Sequence, residues 1–497
     1  MKIFLHKLSK NDQGTMLVVV ILLTALFMAT TLGAISLSLL QQKLNRIKIA
    51  SNQAIHIAEA GVNYYRWVLY HDHEQYCNKE TCKPAPNYGP YGPYEYKDAS
   101  GNISGYYELY ITPPPANGST IVKIKSVGWE ASHPTVKKTI EVHCGIPSWS
   151  SYSALANDFM RFGEGTEVWG AIHSNAGIRF DGVAHNLISS AVLNYDDPDH
   201  TGANEFGVHT HLSPTDPLPN GSNPPNNVPD KLSIFMAGRK FPTPVVSFNL
   251  LSGYTSDTYA KATTSGLVFD PRAVGTADVS SVVAWRGCIS STCDEGFHIT
   301  LKNNNTFDIR GVSAVVATCN SEPTYSILTE GSATNYPIPA NGIIFAKNNV
   351  WVDGHINGSR VTVLAFKEPF TTGIADIYLN KDITYTKYDG TDSIGLIAQR
   401  NVTVGRFSED DLQIDAALIA KTGKVGREYY SKTCSDWQKT KITINGSIAT
   451  AIRYGFAYTD DTGYITRNIN YDNNLTFSPP PHYPTTGEYT FISWKED

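Results

Sequence analysis

Residues 15–42, TMLVVVILLTALFMATTLGAISLSLLQQ, contain no charged residue. A helix rises about 1.5 Å per residue, so Met16 to Leu40 is long enough to cross a hydrocarbon core of about 30 Å. The preceding residues 1–14 form a short polar leader with lysines at positions 2, 7 and 10. Because basic residues before an apolar helix favour a cytoplasmic leader, the chain that follows is predicted to be extracytoplasmic.

Three interpretations of this segment are open. A cleaved secretory signal needs a short apolar core and a small-residue cut site, and Gly33-Ala34-Ile35-Ser36 matches such a site weakly. An uncut membrane anchor needs only the apolar length. In the third interpretation the chain is cut at the junction between leader and helix, after Gly14, so that the mature chain begins at Thr15.

The helical pattern continues beyond the apolar stretch. Proline is absent from residues 15–70, and small or apolar residues recur at steps of three and four. They are Leu44, Ile47, Ala50, Ala54, Ile57, Gly61, Tyr65 and Val68. One helix over 15–70 is therefore predicted, with an apolar first half and an amphipathic second half.

The second half contains IHIAEAGVNYYRWVL, with the motif Ala58-Glu59-Ala60-Gly61. A charge-free helix followed by this motif resembles the PilX-like family of minor type IV pilins. The resemblance implies cleavage after Gly14 by a prepilin peptidase and packing of the helix against other pilin-like subunits. Major type IV pilins carry Glu at the fifth position after the cut, where this chain has Val19. Glu59 is either an exposed helix carboxylate or a contact to the head or to a neighbouring subunit.

Residues 71–148 are predicted to form a small antiparallel β head. A loop rich in Tyr, Pro and Gly precedes three strand-like runs, YYELYI, TIVKIKSVGWE and TVKKTIEVHC, which begin at Tyr106, Thr120 and Thr135. The runs alternate apolar with polar residues and are separated by turn sequences. The second half of the helix is expected to cover their apolar face, as in a pilin head.

Four of the seven cysteines form two close pairs, Cys77 with Cys82 and Cys288 with Cys293. In an exported chain such spacing predicts small loop-closing disulfides. Free buried thiols and a zinc site remain alternatives, although a zinc site usually has shorter spacing. The odd count leaves at least one thiol free or paired between chains.

The remainder is predicted to be β-rich. A small residue, a short apolar run, a polar pair and a second short strand recur from Gly170, Gly342, Gly395 and Ala417, the last two 22 residues apart. That interval is about one coil of a β-solenoid, so a parallel β-helix is predicted for 149–460, with a large insertion at about 190–340. A β-sandwich is the alternative. Residues 461–497 are predicted to be a Pro-rich tail.

Charge and motifs exclude several functions. The net charge of −6 argues against nucleic-acid binding, and no catalytic or cofactor motif is present. Acidic clusters at Asp196, Asp197, Asp199 with His200, and at Glu409, Asp410, Asp411, are either solvated turns or weak calcium ligands. His173, His209 and His211 are possible metal ligands, but a third ligand for the His209-x-His211 pair is not apparent. No metal, cofactor or catalytic residue is predicted.

The sequence thus predicts a single-pass membrane protein, mainly β with one long N-terminal helix, and not an enzyme. The expected function is a minor, tip-located subunit of a type IV pilus or pseudopilus-like filament with an assembly or adhesion role. Its partners would be the membrane, pilin-like subunits, a prepilin peptidase and a surface or glycan ligand. The alternatives are a membrane-tethered adhesin outside any filament, and a carbohydrate-active enzyme built on a β-helix.

Overall fold

The computed structural model describes residues 12–115, 118–248, 253–271, 282–284, 293–485 and 488–496. The chain divides into two compact units. Unit 1 contains Met1–Pro113, Val122–Cys144 and Phe491–Asp497, and unit 2 contains Pro114–Ile121 and Gly145–Thr490.

The chain is mainly β, and its longest helix lies at the N-terminus. Helix α1 spans Asp12–His71 and therefore begins before the predicted residue 15; its 60 residues give a length of about 90 Å. A second helix, α2, spans Tyr254–Ser265. Helix α2 was not predicted, because YTSDTYAKATTS is polar and rich in residues with weak helix propensity. Short 3₁₀ helices span Trp149–Ser151 and Asn473–Thr476.

The strands are mostly short. In chain order they are β1 Tyr91–Lys97, β2 Ile103–Thr112, β3 Val122–Glu130, β4 Lys137–Gly145, β5 Ala154–Ala156, β6 Met160–Phe162, β7 Thr166–Trp169, β8 Ile172–Ser174, β9 Ile178–Phe180, β10 Val183–Ala184, β11 Ile188–Ser190, β12 Asn194–Tyr195, β13 Glu205–Phe206, β14 Val208–His209, β15 Arg239–Lys240, β16 Leu267–Asp270, β17 Val282–Ala284, β18 Gly296–Leu301, β19 Thr306–Val315, β20 Ile327–Glu330, β21 Thr334–Pro337, β22 Ile343–Ala346, β23 Val350–Ile356, β24 Arg360–Ala365, β25 Ile377–Tyr378, β26 Ile383–Tyr385, β27 Ser393–Ala398, β28 Val402–Val404, β29 Asp411–Ala420, β30 Val425–Arg427, β31 Gln438–Thr450, β32 Gly463–Tyr471 and β33 Thr490–Glu496.

Unit 1 contains α1 and an antiparallel meander. Strands β1 to β4 follow one another in the sheet with antiparallel pairing; β2 to β4 are the three predicted strands, whereas β1 lies in the Tyr-, Pro- and Gly-rich segment that was predicted to be a loop. Strand β33 lies beside β4, and the His143 ring is 2.8 Å from the Ser493 hydroxyl in that strand. The predicted Pro-rich tail therefore ends in a strand of this sheet, which the sequence did not reveal because the pairing joins segments far apart in the chain.

Unit 2 contains long ladders of parallel strands. The longest has the order β17-β16-β22-β24-β27-β29-β31-β5-β8-β11-β15, in which every neighbouring pair is parallel. Within it Gly395 lies opposite Ala417, so the two sequence copies 22 residues apart are indeed neighbours. A second parallel ladder has the order β18-β23-β26-β29-β31-β32-β7-β10. Antiparallel pairing, which the β-sandwich alternative requires, is confined to peripheral strands in the described part of unit 2.

The ladders do not follow chain order. From β5 the chain runs outward through β8 and β11, and a later stretch returns from β16 to β31, where Ile448 lies opposite Ala154. Residues 190–340 thus contribute β16 and β18 to the ladders instead of forming only an insertion. The predicted boundary at 460 also differs, since β32 continues the second ladder.

Strand β22 of the longest ladder is buried on both faces. In β22, Ile344 and Ala346 belong to the main core, whereas Ile343 and Phe345 face a second apolar cluster that includes Ala262 of α2. Successive side chains of a strand point to opposite faces. Burial of both faces therefore explains why β22 is a continuous apolar run instead of an alternation of apolar and polar residues.

Candidate functional site

The first half of α1 is an uncovered apolar surface. Its large side chains from Met16 to Ile49 are exposed by between 39% and 74%. By length and composition α1 can cross a membrane, with a mean hydropathy of 2.5 in its most apolar window. Soluble domains rarely expose contiguous apolar patches beyond a few hundred Å². This surface is therefore suited to lipid or to other apolar helices.

The second half of α1 packs on the meander of unit 1. Ala50, Ala54, Ile57, Ala58, Val62, Tyr65, Val68 and Leu69 are all buried, which is one stripe of helical period. Gly61 and Gly128 let the helix approach the sheet closely. A Cβ at Gly61 would meet the Tyr107 ring at 2.7 Å, and one at Gly128 would collide with the backbone of Ala54 and Ala58.

The Ala58-Glu59-Ala60-Gly61 motif has a packing explanation within unit 1. Ala58 and Gly61 face the sheet, whereas the Glu59 carboxylate is partly exposed and lies 3.2 Å from the His56 ring on the same helix. The small residues of the motif thus allow close helix-to-sheet contact, and Glu59 is a surface carboxylate within this chain.

We expect Gly61→Ala to lower the unfolding temperature of the full chain in detergent. The added methyl meets Tyr107 and Ser126, and overpacking of this kind costs about 1–3 kcal/mol. Gly33→Ala is the matched control on the same helix, because nothing lies within 4 Å of a Cβ at Gly33. Equal melting curves for the two variants, measured by circular dichroism, would contradict the close contact at Gly61.

The processing residues lie at the start of α1. Residues 1–11 of the predicted leader lie outside the described residues, and α1 already includes positions 14 and 15. Cleavage between Gly14 and Thr15 stays a prediction.

The cysteines differ in their states. Cys77 is bonded to Cys82, and Cys319 is bonded to Cys434, a pairing that the sequence did not indicate because 115 positions separate the two. Cys288 lies outside the described residues, so its predicted bond to Cys293 stays a prediction. Cys144 is a buried free thiol, and burial raises its pKa to about 12, which keeps it un-ionised at neutral pH.

Unit 2 contains a polar cavity of about 1290 Å³. Charged side chains contribute to its lining, among them Arg161, Arg179, Asp181, Asp199, Arg453 and Arg467. The rings of His200 and His211 also line the cavity. The cavity thus gives solvent access to one side of a histidine and carboxylate cluster.

The histidine cluster consists of Asp197, His200, Glu205, His209 and His211. Strands β12 and β13 form a hairpin in which Tyr195 lies opposite Glu205, and the loop between them supplies Asp197 and His200. Strand β14 runs parallel to β9 with His209 opposite Arg179, and His211 follows two residues later. The hairpin and β14 therefore bring together residues that the sequence assigned to an acidic turn and to an isolated histidine pair.

Two overlapping groups of three residues have metal-ligand geometry. In one, Asp197, His209 and His211 each offer an atom within 4.8 Å of the others; in the second, His200, Glu205 and His211 do so. His209 Nε2 lies 3.4 Å from Asp197 Oδ2, and His211 Nε2 lies 3.9 Å from Glu205 Oε1. Asp197 is thus the third candidate ligand beside the His209-x-His211 pair, for which no third ligand was apparent in the sequence.

The electrostatic environment keeps these groups in forms that can bind a cation. Burial alone would raise the pKa of Asp197, but His209 and the backbone N–H of Asp199 hold that pKa well below its usual range. Burial and the Arg179 guanidinium lower the pKa of His211. At neutral pH Asp197 is therefore an anion and His211 a neutral imidazole, which are the forms that coordinate metals.

The other acidic and histidine candidates have structural partners or remain exposed. His173 is buried and lies 3.0 Å from the Ser189 hydroxyl and 3.2 Å from the Asn175 amide oxygen. Asp199 lies in an exposed turn, where it pairs with Arg161 and Arg453 at 3.0 and 2.8 Å. Asp196 is exposed.

The acidic group after β28 stays at the surface. Asp410 and Asp411 are 73% and 62% exposed and pair with Lys439 and Lys441. Glu409 accepts from the backbone N–H of Asp382 at 3.3 Å. These pairs give the carboxylates ordinary surface partners.

No protein-family model matches the chain, and no curated protein matches it. Among solved structures, one similar chain is the competence-associated pilin ComZ from Thermus thermophilus, at 12% identity. The match covers 90% of this chain and 98% of that chain with a TM-score of 0.32. A similarity at that level carries no argument, so the resemblance to PilX-like pilins depends on the N-terminal residues.

Proposed function

We propose that this chain is a membrane-anchored, surface-facing structural subunit of a type IV pilus or pseudopilus-like filament, and not an enzyme. The observation that supports the proposal is the division of α1. Beyond Ala50 one stripe of the helix is buried against the sheet of unit 1, whereas Met16 to Leu40 are uncharged and expose their large apolar side chains. Globular proteins without a membrane or subunit contact rarely expose so large an apolar surface.

The uncovered half of α1 serves two environments in this proposal. Before assembly it spans the membrane, since Met16 to Leu40 exceed the roughly 20 residues that a bilayer core requires. After cleavage behind Gly14 by a prepilin peptidase, the same surface packs against the apolar helices of other subunits. Lys43, Arg46 and Lys48 follow the apolar stretch and mark its outer end in either environment.

We further propose that unit 2 is a parallel β-helix that acts as the exposed body of a minor, tip-located subunit. Stacked parallel ladders and cores lined by Ile, Val and Ala support this fold. Unit 2 covers most of the chain from Gly145 to Thr490, a size unsuited to every position of a filament shaft. An assembly or adhesion role, with a surface or glycan ligand, follows from that position.

A membrane-tethered adhesin that never enters a filament is the second candidate. The observation that favours it is Val19, which stands where major pilins carry the Glu at the fifth position after the cut. A carbohydrate-active enzyme has weaker support. Asp196 does not line the described cavity, and Asp199 within it is paired with two arginines.

Mass spectrometry of the chain purified from the membranes of its native host tests the processing step. We expect a mature N-terminus at Thr15, and we expect Gly14→Val to block cleavage whereas Gly33→Val does not. An N-terminus at Met1, or one beyond Ala34, would contradict the proposal.

Cross-linking of purified filaments separates the two candidate functions. Adducts with pilin subunits support the filament subunit, and monomers alongside intact filaments support the tethered adhesin.

A further inference from the structure

The inner group of the histidine cluster contains buried polar atoms without hydrogen bonds. His209 is 0% exposed and Asp197 is 2% exposed. Within the described residues, neither ring nitrogen of His209 makes a hydrogen bond, and Asp197 Oδ2 also makes none. A buried polar group left without a partner costs about 1–3 kcal/mol, so such groups usually have a function or an unseen ligand.

The separation of His209 Nε2 and Asp197 Oδ2, neither of which makes a hydrogen bond in the described residues, fits a shared metal ion. Metal bonds to imidazole nitrogen and carboxylate oxygen are about 2.0–2.2 Å long, so two such ligands around a tetrahedral ion lie about 3.3–3.5 Å apart. His209 Nε2 and Asp197 Oδ2 are 3.4 Å apart. This distance is long for a hydrogen bond between ionised partners, which is typically about 2.7–2.9 Å.

We propose that Asp197, His209 and His211 bind one divalent transition-metal ion of the Zn²⁺ class. Two imidazoles and one carboxylate form a ligand set that suits such ions, whereas Ca²⁺ and Mg²⁺ prefer oxygen ligands alone. The inference is independent of the pilin-like role, because all three ligands lie in unit 2 and the helix argument concerns unit 1.

His211 connects the ion to the cavity. It is 20% exposed and lines the cavity wall, whereas the other two ligands are almost fully buried. The site therefore has an entry path on the His211 side and a fourth coordination position open to water or to a ligand in the cavity. Three protein ligands with one open position distinguish such a site from a closed structural zinc site.

Two sets of charged side chains lie beside the proposed metal site, one at Asp197 and one at His211. The Arg179 guanidinium lies 3.6 Å from Asp197 Oδ2, while its Nε donates to Asp181 at 2.7 Å. Arg179 thus supplies a counter-charge that a metal ion would replace. On the cavity side, His200 and Glu205 lie beside His211, with His200 Nδ1 3.7 Å from Glu205 Oε1. His200 and Glu205 form, together with His211, the second group that could bind the same ion.

Equilibrium dialysis of the detergent-solubilised full chain against Zn²⁺, followed by elemental analysis, tests the site. We expect one Zn²⁺ per chain, no comparable uptake of Ca²⁺, and a rise in the unfolding temperature on Zn²⁺ addition. Asp197→Asn and His211→Ala are each expected to weaken Zn²⁺ binding at least about tenfold, since loss of even indirect ligand partners costs 10–100-fold.

The matched controls are His173→Gln and His200→Ala. His173 is a buried histidine with hydrogen-bond partners, so its variant is expected to retain Zn²⁺ stoichiometry. His200→Ala is expected to weaken binding less than about threefold. The proposal is overturned if the wild type takes up no Zn²⁺, if Asp197→Asn binds it unchanged, or if only the loss of His200 or Glu205 abolishes uptake. Asp197→Asn also guards against a misfolded variant, because it preserves side-chain shape, and its unfolding transition without metal is expected to remain cooperative.

Discussion

A chain that lacks residues 1–42 is expected to remain monomeric in buffer without detergent, whereas the full chain is expected to require detergent or membrane. The deletion removes the large apolar side chains from Met16 to Leu40, most of which are more than half exposed. Burial of each such side chain is worth about 1.5–3 kcal/mol, so the whole set contributes on the order of tens of kcal/mol to insertion or helix packing. Fractionation, then light scattering, measures the difference.

The shortened chain should also keep the fold of unit 1, because the buried stripe of α1 begins at Ala50.

A single added charge in the full chain tests whether the centre of the apolar stretch lies inside the membrane. Leu26→Arg places a cation at the centre of the apolar stretch, at a cost of about 2.5–3.5 kcal/mol to insertion, whereas Gln42→Arg adds the same charge at its end. A full chain that is soluble and monomeric without detergent would contradict the anchor, as would equal membrane insertion of the two arginine variants.

The same helix shows how far its sequence could predict the structure. The three- and four-residue spacing correctly identified Ala50, Ala54, Ile57, Tyr65 and Val68 as one buried stripe. Leu44 and Ile47 continue that spacing, yet they are 56% and 39% exposed. Helical period determines which face is apolar, but the extent of the covering sheet depends on tertiary contacts that no local pattern contains.

The strand order of unit 2 could be predicted only in part, because some neighbouring strands are far apart in the sequence. The repeat predicted parallel neighbours correctly where copies follow one another, as Gly395 and Ala417 do. It did not predict that Ile448 pairs with Ala154, because the join between a late strand and an early strand has no local signature. The sequence placed Asp197 in an acidic cluster apart from the His209-x-His211 pair for the same reason, since only the hairpin and β14 bring it to His209.

A ladder of polar side chains crosses three neighbouring strands of unit 2. Asp415 of β29 lies opposite Asn445 of β31, which lies opposite Asn470 of β32. Asn445 donates to Asp415 at 2.7 Å, and Asn470 donates to Asn445 at 2.8 Å. In a parallel stack identical positions on successive strands face one another, so amide side chains can form a continuous chain of hydrogen bonds.

We expect Asp415→Ala to destabilise unit 2 by about 1–3 kcal/mol for each buried donor left without an acceptor, seen as a lower midpoint of urea unfolding. Asp415 is 0% exposed and accepts hydrogen bonds from the Tyr385 backbone at 2.9 Å and the Tyr388 hydroxyl at 2.6 Å. The Gln413 amide also donates to it, at 2.9 Å. Removing the carboxylate leaves the buried Tyr385 N–H and the Asn445 amide without their acceptor, which is more costly than the loss of one exposed ion pair. Tyr388 is 55% exposed, so its hydroxyl can turn to water instead.

Asp411→Ala is the matched control, because Asp411 begins the same strand but is 62% exposed and pairs only with Lys441. Its midpoint is expected to equal that of the wild type, since exposed ion pairs contribute little. Asp415→Asn should fall between the two, because an amide keeps one acceptor oxygen but turns its NH₂ group toward other donors. Asp415→Ala and Asp411→Ala unfolding at the same urea concentration would mean that the polar ladder does not stabilise the stacked strands, and that apolar burial alone holds unit 2 together.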